Sequence, residues 1–340
     1  MKRNKVGAHR APGMLSALLL AMAVLLAACG GAGGGSGASQ ENATAVEGQT
    51  AATAATSGEA KPSTRKVKTV NGEIEIPAEP KRIVAQGYLA TFLALGIKPV
   101  GAPFWDIDSP HIKAQTAGIE DIGTIDASSV EKILALNPDL IVTLSDDPKL
   151  YEQLSKIAPT LVFVHTTFKD SREQIRTFGE ILGKEKEAEA WIASFNETVE
   201  KAKQRIKGVV GENATAAIMG GFDKQLVVYA DGLWRGAEAM YKHLGLKRPP
   251  LVQKSVDEGK EHVTISLEQV NEFSGDYLFV ESGKQAGLDP SNPIWNTLDA
   301  VKNGRVYQMD TDYFWPYDPI AVKAQVDLIA DMLVEGKHQF

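Results

Sequence analysis

One element occurs twice in this chain, and its spacing limits what the chain can become. Ser129-Val-Glu131-Lys-Ile133-Leu-Ala-Leu136-Asn-Pro-Asp139-Leu140-Ile141-Val142-Thr-Leu-Ser145 is echoed by Ser266-Leu-Glu268-Gln-Val270-Asn-Glu-Phe273-Ser-Gly-Asp276-Tyr277-Leu278-Phe279-Val-Glu-Ser282. The matched Ser, Glu, Asp and Ser positions all stand 137 residues apart. Each copy reads as a short capped helix, a turn containing Asp, and a buried strand of consecutive apolar residues. Leu95-Gly96-Ile97-Lys98-Pro99 likewise resembles Leu244-Gly245-Leu246-Lys247-Arg248-Pro249. Leu154, Ile157, Val162 and Phe163 match Leu298, Val301, Val306 and Tyr307 at an offset of 144. The changing offset indicates loop insertions, and a period this long indicates a duplicated domain, not a solenoid.

Between the copies, Asp170 to Gly208 reads as two helices in tandem. Asp170-Ser171-Arg172-Glu173 starts the first, and Gly183 stops it. The second, from about Lys184 to Lys207, carries Ala188, Trp191, Ile192, Phe195, Val199, Ala202 and Ile206 on one stripe. Glu197 and Lys201 form a favourable pair on the other face. Such a helix is long enough to reach from one lobe to another, at about 1.5 Å per residue.

The chain opens on Lys2, Arg3, Lys5 and Arg10, followed by the apolar run Met14–Leu26 and then Leu26-Ala27-Ala28-Cys29-Gly30. The run suits a signal-peptide core and is short for a membrane span, which needs about 20 residues. The predicted organisation is a signal peptide (1–28), a lipidated Cys29 with a flexible tether (29–65), an N-terminal α/β lobe (66–168), an interlobe helical segment (169–208) and a C-terminal α/β lobe (209–340). The tether is rich in Gly, Ala, Ser, Thr and Gln and lacks the large apolar residues a core needs. Val67 to Ile76 predicts a hairpin turning at Asn71-Gly72. Strands and helices then alternate to His165, which argues for a parallel sheet covered on both faces. A comparable series follows Gly208, with strands Thr215–Met219, Tyr277–Val280 and Val306–Met309 and a last helix Ile320–Val334.

Lys plus Arg number 36 against 43 Asp plus Glu, for a formal charge of −7. With no basic stripe and no RNA-binding aromatic motif, nothing points to nucleic acid. A single cysteine rules out an internal disulfide. His111, His165, His243 and His262 show no paired spacing for zinc. The sequence has no G-x-S-x-G, no H-E-x-x-H and no Walker lysine, so no enzyme signature competes.

The secretion signal and lipobox, Pro80-Lys81-Arg82-Ile83-Val84, the Ser129–Val142 element and Val301-Lys-Asn-Gly-Arg-Val306-Tyr together resemble the iron-siderophore substrate-binding proteins of ABC importers. Vitamin B12 and haem binders share that fold. The resemblance covers Lys66 to the C-terminus. It implies an α/β architecture: two lobes with mostly parallel sheets, joined by a single long interlobe helix, with the ligand in the cleft between them. It implies a monomer held outside the cell by a lipid on Cys29, with no cofactor and no metal ligands of its own, since the iron stays wrapped in the siderophore. The implied partners are a ferric siderophore and an ABC permease with its ATPase. Hydroxamate chemistry is favoured, and ferric citrate, haem and cobalamin are the alternatives. For haem, His165 or Met219 at strand ends would be the axial ligand.

By the same resemblance Glu131 and Glu268 dock onto basic residues of the permease. Their local context also reads as helix capping, in Ser128-x-x-Glu131 and Ser266-x-x-Gln269. In open α/β sheets ligands sit beyond the carboxyl ends of strands. That selects Gln86-Gly87-Tyr88, Phe104-Trp105 and Ser145 in the first lobe, and Gly220-Gly221-Phe222, Glu281 and Tyr313-Phe314-Trp315 in the second. Asp231-Gly232-Leu233-Trp234-Arg235-Gly236 is similar to the segment that supplies an arginine to the ligand in hydroxamate-siderophore binders. The candidate ligand-binding residues are therefore Tyr88, Trp105, Trp234, Arg235, Tyr313 and Trp315. Asp318-Pro319-Ile320 resembles the start of that family's last helix, which implies a structural role.

Overall fold

A computed structural model describes residues 63–222, 225–231, 234–282 and 291–336. The expected signal peptide, Cys29 and all but the end of the tether lie outside the described residues. No described helix is long and apolar enough to cross a membrane.

Among the described residues the first strand, β1 (Thr64–Thr69), begins slightly before the expected Lys66 and pairs antiparallel to β2 (Gly72–Pro77). Arg65 explains the difference. Its Nη1 donates to the Glu180 and Ile181 carbonyls at 3.0 and 3.1 Å, which are among the orphan acceptors at a helix end. The two turn residues are Val70 and Asn71, not Asn71 and Gly72, because Thr69 and Gly72 face each other in register. The Thr69 hydroxyl accepts the Asn71 amide and fixes that register.

The first sheet contains β3 (Ile83–Gln86), β4 (Gly101–Ala102), β5 (Glu120–Asp121), β6 (Leu140–Thr143) and β7 (Thr160–Val162), ordered β5-β4-β3-β6-β7 and parallel throughout. The second contains β8 (Ala216–Phe222), β9 (Gln225–Tyr229), β10 (His262–Ile265), β11 (Tyr277–Ser282) and β12 (Val306–Asp310), ordered β10-β9-β8-β11-β12. The orders are the same, so the internal repeat places β6 and β11 at equivalent positions. The second sheet is mixed. β8, β11 and β12 run parallel, but β9 pairs antiparallel with both β8 and β10. The connection from β8 to β9 is too short for a crossover, and a short connection permits only antiparallel pairing.

The repeated aspartate has one job in both lobes. Asp139 accepts the Lys81 and Arg82 amides at 2.7 and 2.9 Å, just before β3. Asp276 accepts the Thr215 amide and hydroxyl at 2.8 and 2.9 Å, just before β8. Each carboxylate ties the start of one central strand to the start of its neighbour. Both sheets are buried on both faces, as consecutive apolar residues require. Leu140 and Val142 face one core cluster and Ile141 the other; Tyr277 and Phe279 likewise oppose Leu278 and Val280.

Helices Ser171–Leu182 and Glu185–Ile206 join the lobes. Asp170 caps the first through the Arg172 and Glu173 amides, and Glu173 returns the bond to the Lys169 amide at 2.7 Å. Gly183 ends it at φ 66°, a left-handed conformation that glycine adopts without steric cost. The apolar stripe of the second helix is divided between two cores. Ala188 and Ile192 pack with the first sheet, whereas Phe195, Val199, Ala202 and Ile206 pack with the second. Trp191 touches both clusters and stacks on Phe195 at 5.3 Å. The C-terminal helix Pro319–Glu335 closes the second core with Val322, Val326, Ile329, Ala330 and Leu333.

Candidate functional site

A cavity of about 990 Å³ opens where the carboxyl ends of the two sheets meet. From the first lobe come Gly87 and Tyr88 after β3, Trp105 and Asp106 after β4, Leu144 after β6, and His165 and Phe168 after β7. From the second come Trp234, Ser282 at the end of β11, Asp310 at the end of β12 with Thr311 and Asp312 in the short helix it caps, and Trp315 to Asp318 at the entry to the last helix. The carboxyl ends of strands in both lobes thus open onto one cavity.

The six candidate residues divide by position. Trp105, Trp234 and Trp315 line the cavity with large apolar faces. Trp105 and Trp315 are each 40% exposed. Trp234 donates its indole N–H to Glu261 Oε2 at 3.2 Å and lies 5.2 Å from Tyr317 and 6.2 Å from Trp315, ring to ring. Tyr88 also lines the cavity, but it belongs mainly to the first core. It is buried among Phe163, Phe168 and Phe178, and its hydroxyl donates to the Phe163 carbonyl at 2.6 Å. Burial raises that phenol well above its usual range.

Arg235 and Tyr313 do not line the cavity. Arg235 is 3% exposed and lies one layer deeper, with its Nε hydrogen-bonded to Glu281 Oε1 and the Trp315 ring over its guanidinium. Its Nη1 has no hydrogen-bond partner. Burial pushes the Glu281 carboxyl up, and the Arg235 charge opposes the shift. The absence of a side chain beneath Glu281 is essential, because a Cβ on Gly220 would overlap its carboxylate. Arg235 also holds a left-handed backbone at φ 56°, which is unusual for a residue with a Cβ. Tyr313 is 43% exposed and contributes its carbonyl, which meets His111 Nε2 at 2.8 Å and Gln325 Nε2 at 3.0 Å.

Gln86 is fully buried and donates to Ser128 Oγ at 2.6 Å. Met219, one of the two possible haem ligands, is enclosed with Val228 and Leu278 in an apolar cluster; His165 is on the cavity wall. Among the described residues, no three His, Cys, Asp or Glu side chains converge as a metal site.

Glu131 and Glu268 are both exposed, in the first turns of the helices Val130–Ala135 and Leu267–Gln269. The Ser266–Gln269 capping box is present. The expected Ser128–Glu131 box is not: Ser129 is the cap, accepting the Lys132 amide at 3.2 Å, because Ser128 is drawn inward to Gln86.

The sequence reading missed the carboxylates of the site. Asp106 follows Trp105 directly, and its Oδ2 is buried without a hydrogen-bond partner. Burial, together with the charge of Asp318, pushes the Asp106 carboxyl up to about 8 against a bond from the Gly87 amide. Asp318 does start the last helix as expected, accepting the Ala321 amide at 2.9 Å, but it also lines the cavity, and burial raises its carboxyl. Burial and the nearby carboxylates push the Tyr317 phenol up to about 12. The available signal was position: Asp106 adjoins a selected tryptophan, and Tyr317-Asp318 lie two and three residues beyond Trp315.

Residues 83–313 match the model of a family described as periplasmic binding protein. The chain is 38% identical over 282 residues to the iron(3+)-hydroxamate-binding protein YxeB of Bacillus subtilis, covering 81% of this chain and 87% of that one. A crystal structure of a FhuD fold-family periplasmic binding protein, component of a Fep/Fec-like ferrichrome ABC transporter from Bacillus subtilis, superposes with a TM-score of 0.71 at 38% identity, covering 79% of this chain and all of that one. FhuD2 from Staphylococcus aureus with bound ferrioxamine B gives 0.67 at 28% identity, covering 75% of this chain and 99% of that one.

Proposed function

The chain belongs to the periplasmic binding protein family, and we propose that it is the binding subunit of an ABC importer that captures a ferric siderophore, with hydroxamate chemistry favoured. The observation that carries this reading is the cavity between the lobes, walled by Trp105, Trp234 and Trp315. A ferric siderophore satisfies its iron with its own oxygens, so its receptor needs broad apolar faces and a few hydrogen-bonding groups. Three tryptophans supply the faces, and Gln174, Ser282 and Thr311 on the wall supply polar groups. The relative that binds iron(3+)-hydroxamate and the structural neighbour holding ferrioxamine B support the choice of ligand. In this reading the protein catalyses no reaction. It hands its ligand to a permease docked through Glu131 and Glu268, while a lipid on Cys29 holds it at the outer face of the membrane.

Tryptophan-fluorescence titration tests the reading, since three of the chain's five tryptophans line the cavity. A ferric hydroxamate should quench saturably. Tight binding of haem or cobalamin alone would remove the siderophore, and silence toward all of them would remove the binding role.

A further inference from the structure

Trp234 faces the cavity, but the hydrogen bond that holds its ring comes from a residue outside the wall. An indole N–H can only donate, so a half-buried one needs an acceptor. Glu261, which stands just before β10 and does not line the cavity, accepts it on Oε2 at 3.2 Å. The second oxygen of the same carboxylate faces the opposite lobe. Glu261 Oε1 lies 3.8 Å from Nε2 of His165, which follows β7 and stands on the cavity wall. The His165 and Trp234 rings are 6.4 Å apart. One carboxylate therefore holds an indole of its own lobe and confronts an imidazole of the other. At 3.8 Å a neutral imidazole makes no hydrogen bond with it, whereas a protonated one makes an ion pair.

Other charged groups around Glu261 have partners of their own. Lys260 pairs with Glu258 at 2.7 Å. Asp231, whose amide donates to the Glu261 carbonyl, is held by Arg248 at 2.9 Å. The Tyr317 phenol, pushed up to about 12 by burial and by carboxylates that include Glu261, keeps its proton. His165 is thus the group facing Glu261 from the first lobe, and histidine is the side chain whose charge changes near neutral pH. Resting on the reading of the cavity as the ligand site, we propose that Glu261 is a positioning residue of that site: it sets the Trp234 ring against the ligand and, through His165, ties that ring to the opposite lobe, so that protonation of His165 tightens the grip. In acid the charged imidazole draws Glu261 Oε1 across the cleft while Oε2 keeps the indole. In alkali that attraction lapses and Trp234 is held from its own lobe alone. The His165 and Glu261 side chains are 46% and 38% exposed, so solvent screening limits the effect to a few-fold.

The first test needs no ligand. The Trp234 indole N–H signal, assigned by its loss in Trp234→Phe, is followed by nitrogen-15 NMR from about pH 8 to about pH 5.5, the range in which histidine gains its charge. It should shift in the parent and in His262→Gln, the neighbouring histidine in the chain, and lose that shift in His165→Gln. Asp106 also titrates toward the upper end of this range, so the response is read as the difference between the parent and His165→Gln. A static signal in the parent, or a shift undiminished in His165→Gln, overturns the coupling whatever the cavity binds. The second test titrates ferrioxamine B by tryptophan quenching at the same two pH values. The parent should bind about threefold more tightly in acid, and His165→Gln should lose that ratio. Glu261→Ala, which takes the acceptor from the indole, should weaken binding about tenfold at both pH values. Glu261→Gln, which returns an acceptor without a charge, should recover most of that loss at the higher pH and none of the acid gain. Affinity unchanged in Glu261→Ala overturns the positioning role. Failure of the parent to bind ferrioxamine B counts against the siderophore reading, and the indole signal then decides the coupling by itself.

Discussion

The Trp315 ring covers the Arg235 guanidinium, with Cζ 3.7 Å from the ring centroid, while Arg235 Nε holds Glu281. Arg235 is thus a prop under the cavity wall, and its pair is almost wholly buried. Arg235→Ala should cost about 3–5 kcal/mol, because it leaves Glu281 buried without its cation. Apolar replacement of both residues should recover most of that loss. Urea denaturation of the two variants checks the pair; a loss below about 1 kcal/mol in Arg235→Ala would show that burial does not couple them.

Gly220 controls the same pair from the opposite side. Gly220→Ala places a methyl group where the Glu281 carboxylate lies. Overpacking of this kind costs about 1–3 kcal/mol. A lower melting temperature is expected, and the added cost of Gly220→Ala should be smaller in a Glu281→Ala background than in the parent.

Glu238 fixes the start of the interlobe segment. Its Oε1 accepts the Ser171 amide at 2.8 Å and lies 2.9 Å from His243 Nε2, all three residues being buried. Glu238→Ala should destabilise the protein by about 1–3 kcal/mol for each group left unsatisfied. The Ser171 amide should also exchange with deuterium faster than in the parent, and unchanged exchange would separate Glu238 from that helix start.

Asp106 makes stability depend on pH. Burial pushes its folded-state carboxyl up to about 8 from an ordinary value of 3.8. Between those values the folded protein keeps a proton that the unfolded chain releases. Stability from this group is therefore full below about pH 4 and falls as pH rises toward 8, with a slope of at most about 1.4 kcal/mol per unit. Asp106→Asn should be progressively more stable than the parent across that window. Melting curves at pH 5 and pH 8 (about one unit inside and at the end of the window) should show the gap widen; a constant gap would count against a retained proton.

The docking assignment has a separate signature. Glu131 and Glu268 are exposed, and neither lines the cavity. The double change Glu131→Ala/Glu268→Ala should leave the fluorescence affinity for a ferric hydroxamate unchanged and abolish uptake by cells. Normal uptake would discard both glutamates as docking residues.

The duplication, the tandem helices and the strand-end location of the cavity were legible because each depends on local pattern: apolar period, caps and repeated spacing. The antiparallel β9 and β10 were not, since their pairing follows from a short connection and not from an apolar run. At the cavity, the sequence favoured large aromatics, and Trp105, Trp234 and Trp315 stand on its wall. It failed to separate Arg235 from the wall, because burial beneath a neighbouring ring leaves no trace in spacing. Asp106 and Asp318 were passed over for a related reason. Aspartate is ordinary at turns and caps, and only the meeting of the two lobes makes these two unusual.

The long helix gives its stripe to two cores, with Trp191 where one hands over to the other. No peptide bond between the lobes therefore separates two self-sufficient pieces. A fragment ending before the helices would leave the first sheet without Phe178, Ala188 and Ile192, and one beginning after them would leave the second without Phe195, Val199 and Ala202. The sequence carries two copies of a unit, yet the folded chain has a shared interior wall, and damage to that wall is felt in both rooms.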